Sequence, residues 1–171
     1  MAIHKFTKYL TEYYSKNKKF GLDIGCKNRP YHNFYHCNYV GIDIPSVKIH
    51  DNVFPDIFST GESLPFNDNT FDFITCYSVI PYVKNIGMLF DEIFRVIQPN
   101  GIVVIIIMNL KGLALKPKTH FENRFDTKRL HLELKKHNLI SIKANNLKTL
   151  FLSTYYDKTS VYGYAIVKPK K

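Results

Sequence analysis

The sequence predicts an α/β fold: a mostly parallel sheet of seven strands with helices on both faces. Three observations predict it. Short apolar runs alternate with helix-period segments, which is the order of right-handed βαβ crossovers. Ile102–Met108 is continuously apolar and β-branched, as a central parallel strand buried on both faces must be. The chain has 171 residues with 45% hydrophobic and 22% charged side chains, enough for one domain with a core of its own.

The elements follow in order. Phe6, Leu10, Tyr13 and Tyr14 recur at helical spacing, so residues 4–16 form an amphipathic helix. Phe20–Ile24 is a first strand ending at Gly25, and Tyr39–Ile44 a second, with Gly41 inside it. Asp56–Ser59 is a third strand and Phe71–Tyr77 a fourth. Pro45–Pro55 is too short for a full crossover helix, so a loop or a single turn belongs there and one patch of sheet is thinly covered. Ile86, Leu89, Ile93, Val96 and Ile97 line one face of a second helix, which Pro99-Asn100-Gly101 stops, because Asn and Gly tolerate the left-handed conformation of such a turn. Ile102–Met108 is the fifth strand. Asp126 is placed to cap a helix through His137, and Leu139–Ala144 and Val161–Lys168 complete the sheet.

Composition narrows the function classes. Cys26, Cys37 and Cys76 are sparse, odd in number and without metal spacing, which argues against a secreted disulfide scaffold. Met1–Lys19 lacks the apolar run of a signal peptide, and the Ile102–Met108 run is far short of a membrane span, so a cytoplasmic protein is expected. The net charge of +10 lies entirely in residues 111–171, with fourteen Lys/Arg against four Asp/Glu; residues 1–110 balance at ten each. A lysine-rich solvated surface accounts for this first. The segregation also fits a face for an anionic substrate, nucleic acid or membrane surface.

Ligands of open α/β sheets sit beyond the carboxyl ends of the strands, where strand order reverses. The first strand-to-helix turn reads Gly21-Leu-Asp-Ile-Gly25-Cys-Lys-Asn-Arg-Pro30-Tyr31. Gly25 permits a tight turn and close approach of a ligand, but the G-x-G-x-x-G dinucleotide fingerprint is absent. Asp23-x-Gly25 alone reads first as a plain βα turn. Asp43, 20 residues beyond Asp23, ends the second strand, where a carboxylate accepts hydrogen bonds from both hydroxyls of a ribose. A helix cap or a solvated turn residue would occupy the same position.

Taken together, six segments resemble class I S-adenosylmethionine (SAM)-dependent methyltransferases, nearest the type-11 methyltransferase domain family. They are Leu22-Asp-Ile-Gly-Cys26 with Pro30-Tyr31; Tyr39-Val-Gly-Ile-Asp-Ile44; Pro55-Asp-Ile-Phe-Ser-Thr-Gly-Glu-Ser-Leu-Pro-Phe66; Asn69-Thr-Phe-Asp-Phe-Ile74; Tyr77-Ser78 before Val79-Ile-Pro-Tyr-Val83; and Glu92-Ile-Phe-Arg-Val-Ile-Gln-Pro-Asn-Gly-Ile-Val-Val104. They span about Gly21 to Met108. The resemblance implies a Rossmann-like class I methyltransferase sandwich whose last strand is antiparallel. It implies one domain over residues 1–171, with a cofactor-binding half at about 19–80 and a basic, substrate-side half at about 109–171.

The resemblance also implies SAM as cofactor and assigns roles. Asp23, Gly25 and Cys26 border the methionine part, Asp23 near its amino group. Asp43 holds the ribose hydroxyls and Ile44 packs on the adenine. Thr60, Gly61 and Glu62 lie beside the adenine edge, and Ser78 borders the sulfonium. Three positions depart from the family pattern: Lys27 stands where a second glycine is usual, Thr60 where an aspartate is frequent, and Tyr82 where a histidine is usual.

The implied activity is methyl transfer from SAM to a small or conjugated acceptor, anionic if the basic half forms the acceptor face. A non-catalytic SAM-binding or partner subunit is the first alternative, in line with the three departures and with the rule that fold does not fix function. An RNA methyltransferase is the second, less favoured because no RNA-binding module is recognisable. No general base stands out; Tyr82 and His120 are candidates by location only. His120, His131 and His137 have no metal spacing, so no metal is expected. Tyr155, Tyr156, Tyr162 and Tyr164 read as core or edge-strand aromatics before they read as a base-stacking platform.

Overall fold

A computed structural model describes residues 2–46, 52–108 and 161–168, together with Leu132 and Lys136, which are helical and exposed. Six strands form one sheet: β1 (Phe20–Ile24), β2 (Asn38–Asp43), β3 (Ile57–Phe58), β4 (Phe71–Tyr77), β5 (Ile97–Met108) and β6 (Val161–Val167), in the order β3-β2-β1-β4-β5-β6. β1 to β5 are mutually parallel and β6 runs antiparallel to β5. Two helices lie on opposite faces, α1 (Ala2–Ser15) and α2 (Ile86–Val96). The expected strand at Leu139–Ala144, and the capped helix from Asp126 apart from its two helical residues, lie outside the described residues.

The core is asymmetric. On the α2 face, Leu22, Ile24, Ile42, Ile74 and Cys76 pack with Val103, Ile105 and the buried stripe Ile86, Leu89, Phe90, Ile93 and Val96. Asn85 caps α2, its side chain accepting the Met88 N–H at 3.2 Å. On the α1 face, Phe6 and Leu10 meet Phe73, Val104 and Ile106. The rest of the buried side of α1 is hydroxylic: Thr7, Thr11 and Ser15 are buried, and Thr11 shares a 2.9 Å hydrogen bond with the Tyr77 hydroxyl. The sequence pattern put Tyr13 on the inner face of this helix, but it is 54% exposed and rests on Tyr9 and Tyr14 instead. Hydroxyls took the inward positions because partners on the sheet and the following loop satisfy them.

The β1–β2 connection is lean. Between β1 and β2 there is only one 3-10 turn, His32–Phe34, where a crossover helix is usual. Arg29 ties that segment down: its ring-facing guanidinium lies 4.8 Å from the Tyr39 centroid, and it donates to the Tyr39 hydroxyl at 3.1 Å and to Asp56 at 2.8 Å. β3 is shorter than the expected Asp56–Ser59, since Asp56 turns its carboxylate to the Gly41 N–H at 2.7 Å. Both β3 residues are exposed at the sheet edge. The expected stop at Pro99-Asn100-Gly101 is also refined. α2 ends at Val96 and pairing begins at once, Ile97 with Phe71, and the register shifts before Ile102 pairs with Phe73, across a stretch that contains Asn100, whose φ is 61°. Asn100 thus makes a bulge within β5 that pairs with Lys168.

Candidate functional site

Parallel pairing brings the carboxyl ends of β1 to β5 to one edge, and chain order reverses between β1 and β4. The first turn leaves β1 at Gly25, whose φ is 75°. The Gly25 and Cys26 N–H groups both donate to the Ile42 carbonyl, at 2.9 and 3.0 Å. A Cβ at Gly25 would lie 2.2 Å from Val79 Cγ2, so the space beside this glycine is filled by the turn after β4. Gly25 therefore serves the turn and this close packing together.

Lys27 resolves one departure from the family pattern. Its φ is 50°, the left-handed conformation that a glycine adopts freely. The lysine keeps that backbone shape at a local cost of about 1–2 kcal/mol, while its side chain is exposed. The shape matters because the Lys27 N–H donates to Asp43 Oδ2 at 2.7 Å. Asp43 Oδ1 accepts the Ile44 N–H at 2.8 Å. Each carboxylate oxygen has two acceptor positions, so one on each remains for a pair of hydroxyls. Ile44 follows immediately and is 44% exposed, an open apolar surface beside this carboxylate.

Asp23 is only 3% exposed, on the α1 face. Thr75 Oγ1 donates to its Oδ1 at 2.7 Å, and the Tyr35 hydroxyl lies 2.6 Å from Thr75 Oγ1. Tyr35 stacks on Tyr39 at 4.0 Å between centroids. Burial pushes the Asp23 carboxyl up to about 7, against the opposing pull of the Thr75 and Tyr35 hydroxyls and the Arg29 charge. A cation brought alongside would restore the missing stabilisation of the ionised form.

The loop after β3 closes another side. Thr60 Oγ1 donates to Glu62 Oε2 at 3.3 Å and accepts the Glu62 N–H at 3.3 Å. Glu62 Oε1 accepts the Asn85 N–H at 2.5 Å, at the start of α2, where a negative charge is favourable. A Cβ at Gly61 would meet Leu89 Cδ1 at 2.6 Å and Ile24 Cγ2 at 3.1 Å, so this loop sits directly on the core. Ser78 follows β4 with φ 60° and donates its N–H to the Ile106 carbonyl at 2.9 Å. Asp43 is thus joined to the first turn by a hydrogen bond, Gly25 meets the turn after β4, and Thr60 to Glu62 join α2.

Cys26 lies in the first turn, between Gly25 and Lys27. Cys26 is buried, its sulfur turned under Gly41, and burial pushes its thiol up to about 12. It is a packing residue there, with no nucleophilic character. Tyr82 is 55% exposed at the end of a 3-10 turn. His120 lies outside the described residues.

Glu92 and Arg95, which the sequence resemblance includes without giving either a role, hold the site together. Glu92 Oε2 accepts the Leu64 N–H at 2.6 Å. Arg95 donates to the Leu64 carbonyl at 3.0 Å, the Phe66 carbonyl at 2.7 Å, Asp68 at 2.9 Å and Glu92 at 2.6 Å. The Arg95 guanidinium holds Glu92 below the usual carboxylate range. The pair fastens the 62–68 loop to α2. The available signal was an acid and a base at i,i+3 in a helix-period segment.

The strand order, the antiparallel last strand and the edge of convergent turns define a class I methyltransferase fold. Comparison with known proteins agrees. A methyltransferase domain family, type 11, matches residues 22–105, so this stretch of the chain is similar to that family. An uncharacterized protein of Methanocaldococcus jannaschii is 25% identical over 116 residues, covering 66% of this chain and 51% of that one. The structure of a SAM-dependent methyltransferase from Archaeoglobus fulgidus superposes with TM-score 0.72 at 13% identity, over 98% of this chain and 93% of that one. Phosphoethanolamine N-methyltransferase 2 of Haemonchus contortus, in complex with SAM, gives TM-score 0.69 at 15% identity, over 96% of this chain and 52% of that one. The chain spans about half the length of the curated relative it matches. Among the described residues, no helix is long and apolar enough to cross a membrane.

Proposed function

We propose that this domain binds SAM and moves its methyl group to a small or conjugated acceptor. The observation that carries the reading is the bond from the Lys27 N–H to Asp43, which fixes a carboxylate at the tip of β2 with acceptor positions to spare. The donor set suits the cofactor. Asp43 takes the two ribose hydroxyls, exposed Ile44 covers a face of the adenine, and Asp23 receives the ammonium of the methionine part. When bound, SAM supplies an electrophilic methyl on a sulfonium. The protein's contribution is to hold it: the first turn, the 60–62 loop and the Ser78 turn converge on the same edge, and positioning of this kind provides much of the rate of a displacement.

The retained left-handed shape at Lys27 favours a working site over a non-catalytic member of the family. The +10 charge of residues 111–171 favours an anionic acceptor. Calorimetric titration with SAM and with S-adenosylhomocysteine tests the reading, with Asp43→Ala as the control. Loss of charge-assisted hydrogen bonds worth about 1.5–3 kcal/mol weakens binding about 10- to 100-fold. Unchanged affinity in a folded Asp43→Ala variant would refute the assignment.

A further inference from the structure

The α1 face of the sheet carries a polar line of which the methyl-transfer reading uses only the end, Asp23. Thr75 has one hydroxyl proton and two acceptors in reach, Asp23 Oδ1 at 2.7 Å and the Leu22 carbonyl at 3.4 Å. The shorter, charged acceptor takes it. The Tyr35 hydroxyl, 2.6 Å from Thr75 Oγ1, must then donate to that oxygen. The result is a one-way chain: Tyr35 to Thr75 to Asp23. Tyr35 is held for this task by its stack on Tyr39 at 4.0 Å and its edge contact with Phe73 at 5.9 Å. The single 3-10 turn between β1 and β2 allows this geometry, because it lets Tyr35 lie over the sheet.

We propose that Tyr35 and Thr75 are positioning residues for Asp23: their hydroxyl chain orients the buried carboxylate and favours its ionised form, ready for the ammonium of an amino-acid-bearing nucleoside. The inference rests on the reading of Asp23 as the ammonium's partner. Arg29 from the first turn adds attraction, and Asp43 at the tip of β2 adds repulsion. The other titratable groups around the carboxylate are Tyr31, Tyr35, Tyr39, Tyr77, Cys26 and Cys76. All six are raised above their ordinary values, chiefly by burial, and stay neutral through the physiological range. α1 brings Thr11 to Tyr77 and Thr7 to Tyr31, and neither threonine titrates. Among the described residues, Thr75 donates to Asp23 and Tyr35 to Thr75, so these two hydroxyls support the carboxylate.

The test uses the intact protein and four variants: Thr75→Val, Thr75→Ser, Tyr35→Phe, and Asp23→Asn to assign the signal. First, the Asp23 carboxyl is titrated by carbon-13 NMR without ligand. Thr75→Val raises its proton affinity about tenfold, the lower end of what a hydrogen bond to an ionised group supplies. Tyr35→Phe moves it the same way by less, and Thr75→Ser restores it. Second, calorimetry at pH 7 compares S-adenosylhomocysteine with 5′-methylthioadenosine, which lacks the amino-acid part. Thr75→Val weakens the first about tenfold and leaves the second unchanged. An unmoved Asp23 titration in both Thr75→Val and Tyr35→Phe, or equal losses for both ligands, overturns the proposal. Failure of the wild-type protein to bind S-adenosylhomocysteine overturns the cofactor reading instead, and the ligand-free titration tells the two failures apart.

Discussion

Replacing Asp23 with asparagine separates what the site needs from what the fold prefers. The carboxyl moves from an ordinary value of 3.8 to about 7 in the fold, with burial as the largest cause. The folded state therefore binds this proton more tightly than the unfolded chain, and unfolding releases it between those two values. Stability must fall as pH rises from about 4 to about 7 and level off above. At about 1.36 kcal/mol for each tenfold change in proton affinity, the full effect is about 4 kcal/mol. Asparagine has nearly the same shape, still accepts from Thr75, and carries no charge to bury. The Asn variant gains on wild type by about 3 kcal/mol between pH 4.5 and pH 8.5. For a domain of this size, that corresponds to a relative gain in Tm of about 6–12 °C. The assay is urea unfolding of both proteins at four pH values across this range, without ligand. A wild-type-to-variant difference that stays constant with pH would refute the reasoning. The variant should at the same time lose S-adenosylhomocysteine affinity, so that a more stable protein binds less well.

Three further outcomes follow from the geometry. Lys27→Gly keeps the N–H that Asp43 accepts, so SAM affinity by calorimetry stays within about twofold of wild type, and a tenfold loss would make the ammonium itself a ligand group. Arg95→Ala frees the 62–68 loop and leaves Glu92 without its guanidinium, a destabilisation of about 2–4 kcal/mol by denaturant titration, with adenosine-containing ligands bound more weakly. If residues 111–148 form the acceptor face, charge reversal at Lys128, Arg129, Lys135 and Lys136 weakens binding of an anionic acceptor in a salt-sensitive manner and spares SAM affinity; binding measured at low and moderate salt checks this.

The parts of this molecule that sequence reading reached are those governed by local pattern. β4 matches its expected limits because a run of buried apolar residues between turn residues has one reading. The tip of β2 was legible because an acid ends an apolar strand, and spacing relates it to Asp23. Lys27 was harder. Its identity argued against the turn, whereas its backbone supplies the turn, and no neighbouring residue announces a left-handed lysine. Tyr13 was misplaced because an amphipathic pattern counts apolar side chains, and the inner face of α1 is partly built from hydroxyls with distant partners, that of Thr11 lying 66 residues away in sequence. The Tyr35–Thr75–Asp23 line was out of reach for the same reason: it joins residues 40 and 52 positions apart.

Gly25 and Val79 are in mutual contact across the edge where the strands end, one from the first turn and one from the turn after β4. A side chain at position 25 would have to displace Val79 and also hold a left-handed backbone, so the separation of these two turns is set at one glycine. If the cofactor lies along these turns as proposed, a larger residue at position 25 would alter its binding by spreading them apart and not by removing a polar contact.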